Sequence, residues 1–135
     1  MRFMIIVKAT ADSEAGVMPS DSLITVMADY HERLARAGVL LDAAGLQPSS
    51  RGWRIRHTAG RRQLVDGPFA ETKELVAGYT LIQVRSREEA LEWTRRFPAP
   101  FEGQACEIEV RQLFELEDFG ASESIERLRA ITPAH

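Results

Sequence analysis

Hydrophobic positions along the chain follow strand spacing and helix spacing in turn, beginning with a strand and a helix. Residues 3–7 are apolar at every position, which is typical of a central strand covered on both faces. A turn-rich stretch follows at residues 12–16. Between residues 23 and 37 apolar side chains recur at helical spacing, with an N-cap in the pair Ser20-Asp21 and a stop at Gly38. This pattern predicts the first β-α unit.

The middle of the chain shows the period-two alternation of strands. Residues 39–41 begin a second strand, and residues 53–58 alternate up to a turn at Ala59-Gly60. Residues 63–65 return from that turn, so the two segments predict a β-hairpin. A further strand is predicted over residues 79–84.

The last third of the chain predicts a second helix and a final strand. Ser86 and Glu89 match a capping box, and the helix behind them stops at Pro98. Residues 105–114 alternate as a strand, and residues 125–131 form a short amphipathic helix. The predicted order is therefore β-α-β, hairpin, β-α-β.

Two helices on one face of an antiparallel sheet predict an α+β, ferredoxin-like domain with an extra β-hairpin. The other face is expected to be half apolar and to carry Phe3, Ile5 or their neighbours together with Glu107, Glu109 and Arg111. Because an uncovered apolar face is typical of an interaction surface, we expect a homodimer through the open sheet face, with a cavity between the sheets. Tyr79, Glu109 and Arg111 are candidate substrate-binding residues of that cavity. For the two charged side chains, an ordinary surface strand is the alternative.

Composition and charge narrow the class of protein. With 135 residues, of which 44% are hydrophobic, the chain is long enough for one core and too short for two. We assign residues 1–119 to the domain and residues 120–135 to a short helix and tail. The net charge of −3 gives no overall basic surface, so nucleic acid is not an expected partner. The arginines at 51–62 are interpreted as a solvated hairpin, with an anion-binding patch as the alternative.

Targeting, metal and cofactor signals are weak in this sequence. The apolar start is too short for a membrane span or a signal peptide, so a cytoplasmic location is expected. His31, His57 and His135 lack metal-ligand spacing, Cys106 is the single cysteine, and no glycine-rich phosphate loop is present. We therefore expect no metal and no cofactor.

The most distinctive stretch runs from Val65 to Glu74 and contains the sequence Asp66-Gly67-Pro68-Phe69, the DGPF loop. Asp-Gly is a turn pair and proline fixes the next φ, so the loop holds the Asp66 carboxylate stiffly at the end of a strand. The stretch resembles the signature of the DGPF branch of the YCII-related family. The resemblance extends over residues 37–48, 89–93 and 107–111 and covers residues 1 to about 119.

This resemblance implies a dimeric α+β barrel and a cleft in which a histidine and an aspartate are the suspected active residues. It also brings two functional associations. One relative in the wider family is described as a ring-dechlorinating enzyme, and many members of the DGPF branch are encoded beside extracytoplasmic-function sigma factors.

Three residues are candidates for catalysis, each with an alternative. Asp66 is the first, as a general acid or base whose alternative is a turn residue accepting backbone N–H bonds. His31, at the border of the apolar stripe of the first helix, suits proton transfer, and the alternative is a helix histidine without chemistry. Glu71 is expected to pair with Lys73 or to supply a second carboxylate to the site, and capping of the next strand is the alternative.

Two main function hypotheses follow, and a third is a structural dimer in which the DGPF loop only shapes the interface. In the first, the protein is a small cofactor-free enzyme that uses acid–base chemistry on a small organic molecule in a cavity near the DGPF loop. In the second, the same cavity holds a ligand without catalysis, or the dimer is a regulatory module linked to a sigma factor. Whether the chain is an enzyme at all stays open at this stage.

Overall fold

A computed structural model describes residues 1–133, so the terminal His135 lies outside the described residues together with Ala134. The strands are β1 (Arg2–Lys8), β2 (Leu40–Gly45), β3 (Trp53–Thr58), β4 (Arg61–Asp66), β5 (Val76–Gln83) and β6 (Ile108–Gln112). The α-helices are α1 (Ala11–Glu14), α2 (Asp21–Arg36), α3 (Arg87–Arg95) and α4 (Glu123–Ile131). Short 3₁₀ turns lie at Ser49–Arg51, Thr72–Glu74 and Leu116–Phe119.

Four strands form one antiparallel sheet in the order β2-β5-β1-β6, and β3 and β4 pair separately as a hairpin. Ile5 of β1 lies opposite Thr80 of β5 and Val110 of β6, so these three side chains share one face. Ile6 lies opposite Tyr79 and Glu109 on the other face. The predicted α+β class is confirmed. Within residues 1–133 the four-stranded sheet is open and closes no barrel.

The core lies between one face of the sheet and the two long helices. Ile5 of β1, Leu34 of α2 and Ile82 of β5 are fully buried. The full cluster of buried residues contains Phe3, Ile5, Tyr30, Leu34, Val39, Ile82, Val84 and Ala90. Both helices therefore cover the face with Phe3 and Ile5, and the face with Ile6 carries neither helix. The open face thus carries the neighbours Met4 and Ile6, and not Phe3 and Ile5 themselves.

The ends of the helices follow the sequence closely. The Ser20 hydroxyl accepts a hydrogen bond from the Leu23 N–H at 3.2 Å, and Gly38 adopts a φ of 74° just beyond α2, as predicted. At α3 the Ser86 hydroxyl accepts from the Glu89 N–H at 3.1 Å. The Glu89 carboxylate reaches back to the Arg85 N–H, one residue before the position that a regular capping box uses.

Three elements differ most from the sequence prediction, and one of them is β5, which begins at Val76 rather than at residue 79. Residues 11–14, predicted as a turn, form the single turn of α1, because Thr10 and Ser13 cap each other reciprocally. The last strand begins at Ile108 rather than at residue 105. Cys106 therefore precedes β6, where its half-buried thiol lies 3.9 Å from the Phe101 carbonyl.

Neighbouring residues of α2 connect this helix to the rest of the core. The Tyr30 hydroxyl donates to the Trp93 carbonyl of α3 at 2.7 Å, and the Nε2 atom of His31 lies 2.8 Å from the Thr80 hydroxyl of β5. The Nδ1 atom of His31 lies 2.7 Å from the Met27 carbonyl oxygen. Because that oxygen can only accept, Nδ1 carries a proton, and in the neutral ring the Thr80 hydroxyl donates to Nε2.

No helix within residues 1–133 combines the length and the hydropathy that crossing a bilayer requires.

Replacing the buried Thr80 by valine tests the connection between α2 and the sheet. We expect Thr80→Val to lower the free energy of unfolding by about 1–3 kcal/mol, because it leaves the half-buried Nε2 of His31 without its donor. Denaturant unfolding of the single variants and of the double variant with His31→Phe measures the coupling. Additive effects of the two substitutions would show that this hydrogen bond contributes nothing to stability.

Candidate functional site

The DGPF loop packs directly on the backbone of the turn that precedes β3. The Gly67 N–H donates to the Gly52 carbonyl at 3.0 Å, and the Gly67–Pro68 peptide bond is cis. A Cβ atom added to Gly67 would lie 1.9 Å from the carbonyl oxygen of Ser49, well inside van der Waals contact. Glycine is therefore required at this position by a backbone-to-backbone approach.

Ser49 joins this loop to the N-terminal part of the chain. Its hydroxyl accepts from the Phe69 N–H at 3.0 Å and donates to one carboxylate oxygen of Glu14. Its backbone N–H donates to the other carboxylate oxygen of Glu14 at 2.9 Å. We call the set Glu14, Ser49, Gly67 and Phe69 the Ser49 junction. Through these three hydrogen bonds Ser49 connects α1, the turn before β3 and the DGPF loop.

Phe69 presents its ring to a positive charge from the hairpin. The guanidinium carbon of Arg54 lies 3.7 Å from the ring centroid, which is a close cation–π contact. Among residues 1–133, Arg54 forms no ion pair with an acidic side chain. Its planar donors are therefore held by stacking and are not used by a protein carboxylate.

These groups border an open cleft with a volume of about 360 Å³, which we call the motif cleft. Its walls combine apolar side chains with two carboxylates, an amide and the Arg54 guanidinium. The lining residues are Glu14, Leu46, Gln47, Ser49, Trp53, Arg54, Phe69, Glu74, Leu75 and Val76. Three of the four members of the Ser49 junction, Glu14, Ser49 and Phe69, therefore line the cleft.

The three predicted catalytic residues are placed apart. Asp66 is exposed at the end of β4 opposite Trp53, and within residues 1–133 its carboxylate accepts no hydrogen bond, so the alternative of a turn residue holding backbone N–H groups is not observed. Glu71 is exposed with a left-handed φ of 61°. His31 lies between α2 and β5, bonded to Met27 and Thr80. None of the three lines the motif cleft, and their roles in catalysis stay predictions.

The predicted substrate-binding residues share the open face of the sheet, as the strand alternation indicated. Glu109 lies 3.8 Å from the Lys8 ammonium group and 3.3 Å from the Arg111 guanidinium. The Tyr79 hydroxyl donates to the Asp42 carboxylate at 3.0 Å. This hydrogen bond and the negative charge of Asp42 raise the pKa of Tyr79, because both disfavour the phenolate.

Sequence reasoning missed three polar residues of these sites, namely Glu14, Ser49 and Asp42. Glu14 and Ser49 are separated by 35 positions, and no spacing rule connects them. Ser49 opens the 3₁₀ turn after Pro48, but no side chain caps that turn, so no local signal marks its role. Among the described residues, no group of three histidine, cysteine, aspartate or glutamate side chains is arranged to hold a metal ion.

Comparison with known proteins gives this arrangement a family. The YCII-related domain matches residues 1–114, which run from β1 to just beyond β6 and include every residue of the motif cleft. The chain belongs to the YCII-related domain family. The uncharacterised protein R00369 of Rhizobium meliloti (strain 1021) is 43% identical over 63 residues, or 47% of this chain. The match spans about half of that relative's length, 51%.

The YCII-related region ends before the C-terminal part of the chain. The turn at Leu116–Phe119 and helix α4 lie beyond residue 114. The DGPF loop, Glu14 and Arg54 all lie inside the matched region.

Alanine at Gly67 tests the backbone contact within the Ser49 junction. We expect Gly67→Ala to lower the free energy of unfolding by about 1–3 kcal/mol, because the new methyl group overlaps the Ser49 carbonyl. Gly45→Ala is the matched control, since a Cβ there meets no atom within 4 Å. Thermal or urea unfolding compares the two. Equal stability of both variants would contradict the tight approach of the loop.

The two tyrosines of the chain allow a spectroscopic test of the open face. Asp42→Asn is expected to lower the pKa of Tyr79 toward its ordinary value of about 10, because it removes the nearby negative charge. Burial raises the pKa of Tyr30 to about 12, so its titration remains separate and unchanged. Spectrophotometric titration measures both, and Tyr79→Phe assigns them. A Tyr79 titration unmoved by Asp42→Asn would exclude the hydrogen bond.

Proposed function

We propose that this YCII-related protein binds a small organic anion in the motif cleft and uses a carboxylate at the cleft for acid–base chemistry. The observation that carries the proposal is the Arg54 guanidinium, stacked on Phe69 at the edge of the cleft without an acidic partner among residues 1–133. Planar guanidinium groups bind carboxylates through paired hydrogen bonds. Stacking holds this one in place before a ligand arrives.

The remaining walls indicate the shape of the ligand. Leu75 is buried at the base, and the Trp53 side chain, 63% exposed, presents a large apolar surface. A volume of about 360 Å³ lies at the lower end of the range for small-molecule sites, about 300–1,000 Å³. The favoured ligand is therefore a compact carboxylate with an apolar or aromatic body.

Glu14 is the carboxylate best placed for acid–base work in this cleft. Both of its oxygens accept hydrogen bonds from Ser49, so the group has a fixed position in the wall. A positioned carboxylate within reach of the ligand is what general base catalysis requires. Asp66, opposite Trp53 in the hairpin, is the second candidate, because its exposed carboxylate neighbours a lining residue.

The predicted dimer belongs to the same proposal. Strand order β2-β5-β1-β6 with both long helices on one face supports the ferredoxin-like arrangement. The half-buried Met4 and Ile6 lie on the opposite face beside the buried Leu81, and this apolar strip supports pairing with a second copy. Two sheets paired in this way would form the dimeric α+β barrel.

Ligand-induced stabilisation tests the anion site. We expect benzoate, phenylacetate or hexanoate to raise the melting temperature of the wild type, whereas the matching amides leave it unchanged. At about ten times Kd the stabilisation is about 1.4 kcal/mol, or roughly 3–6 °C. Arg54→Gln is expected to abolish the shift. Arg56→Gln, on the same face of the hairpin and outside the cleft, is expected to retain it.

Two further results decide between the hypotheses. Loss of the shift in both arginine variants, or equal stabilisation by acids and amides, would contradict the proposed anion site. Incubation of a stabilising ligand with the wild type, Glu14→Gln and Asp66→Asn, followed by NMR of the ligand, assigns the chemistry. Binding without conversion in the wild type would make the protein a binding module instead of an enzyme.

A further inference from the structure

The hairpin of β3 and β4 is a strongly basic projection on an otherwise acidic chain. Five of the 17 basic residues lie between positions 51 and 62, and no acidic residue lies between positions 48 and 65. The rest of the chain carries 12 basic and 20 acidic residues, a formal charge of −8. Among residues 1–133 none of the five hairpin arginines forms an ion pair.

One face of the same hairpin is apolar and open to solvent. Ile55 lies directly opposite Leu64, and Trp53 precedes Ile55 by two positions, so the three side chains share this face. Trp53 is 63% exposed and Leu64 is 59% exposed. The main packing partner of each hairpin strand is the other strand. Large apolar side chains grouped on an exposed surface are typical of an interaction site.

The C-terminal segment, residues 114–133, has the complementary character. It carries five acidic and two basic side chains, a formal charge of −3. Phe114 is 72% exposed and Ile131 is 76% exposed, and Phe119 and Leu128 are exposed as well. Helix α4 packs chiefly against the turn at Leu116–Phe119. This segment therefore presents an acidic, apolar surface that its own chain leaves open.

We propose that the β3–β4 hairpin of one copy docks against the C-terminal segment of a second copy of this chain. This contact differs from the pairing of open sheet faces, because neither the hairpin nor the C-terminal segment belongs to the four-stranded sheet. A two-fold axis repeats the contact, so both copies bury both surfaces. Within residues 1–133 no hydrogen bond or ion pair joins the two surfaces in the same chain. The charges attract across the contact, and the exposed apolar side chains on both sides supply burial.

Nucleic acid fits the hairpin less well than a second copy does. Phosphate binding would use the arginines and leave Ile55 and Leu64 exposed beside an acidic body, which repels a polyanion. A second copy satisfies both the charge and the apolar face. Trp53 also lines the motif cleft, so the two proposals share one residue. The test below measures self-association without ligand, so its failure is distinguishable from failure of the ligand site.

Charge reversal in the full chain tests the docking. Arg61→Glu with Arg62→Glu at the hairpin tip, and Glu123→Lys with Glu126→Lys in α4, are each expected to raise the Kd for self-association at least about tenfold. Combining the two pairs restores attraction with the signs exchanged, and we expect the Kd to return to near the wild-type value. Glu88→Lys, in the first turn of α3, is the matched control and leaves the Kd unchanged.

Sedimentation velocity at several salt concentrations measures these constants, and circular dichroism confirms that each variant folds. A monomeric wild type would overturn the proposal. So would a wild-type dimer whose Kd is unchanged by both pairs of reversals, or a combined variant whose Kd is as high as that of either pair alone. Binding of a DNA or RNA 20-mer that depends on Arg61 and Arg62, with self-association unaffected by their reversal, would do the same.

Burial of Trp53 provides a second readout. On dilution below the Kd of the wild type, the tryptophan emission is expected to shift to longer wavelength, because Trp53 returns to solvent. Trp93, which packs against the core of its own chain, provides a constant background. A Trp93→Phe variant isolates the signal of Trp53. An emission maximum independent of concentration across the dissociation range would contradict burial of the hairpin face.

Discussion

The approach of Gly67 to the carbonyl oxygen of Ser49 is the contact on which the candidate site depends. No side chain separates the two backbones, so the DGPF loop and the turn before β3 hold each other in one position. That position brings the Phe69 N–H to the Ser49 hydroxyl and turns the hydroxyl hydrogen toward Glu14. The sequence of the loop is therefore explained first by packing, and the position of the charged groups of the cleft follows from that packing.

This arrangement changes the role assigned to the acidic residue of the loop. Sequence reasoning placed the chemistry on Asp66, because an acid on a stiff turn suggests a held carboxylate. In the structure the carboxylate that is held is Glu14, whose two oxygens both accept hydrogen bonds, while that of Asp66 is exposed. The stiffness of the loop positions Phe69, and through it Arg54, at the cleft.

Local signals predicted much of the fold. The cap at Ser20, the glycine at 38 and the serine at 86 lie within a few positions of the helices that they delimit, and these helices were predicted close to their observed bounds. Alternation placed Glu109 and Arg111 on the open face correctly. Helix α1 was missed because a serine at position 13 takes the place of the glutamate or glutamine that usually marks a capping box.

The candidate site was less predictable because its contacts are distant along the chain. Glu14 meets Ser49 across 35 positions, and Ser49 meets Phe69 across 20. Spacing rules for helices and strands relate residues two to four positions apart, so neither contact has a local signal. The resemblance of the loop located the region, and the partners of the loop came only from the tertiary structure.

The hairpin links the two proposals physically. Strand β3 supplies Trp53 and Arg54 to the motif cleft, and Trp53 also shares the exposed apolar face with Ile55. Because Trp53 and Arg54 are adjacent residues of one strand, a rotation of the hairpin on docking would move both of them, although their side chains point to opposite faces of the hairpin. If docking and ligand binding favour the same hairpin position, each increases the affinity of the other by an equal factor, because the coupling free energy is reciprocal. A binding site whose cation is carried by an exposed hairpin is therefore open to control by assembly, whereas one built on β1 and β5 in the centre of the sheet would not be.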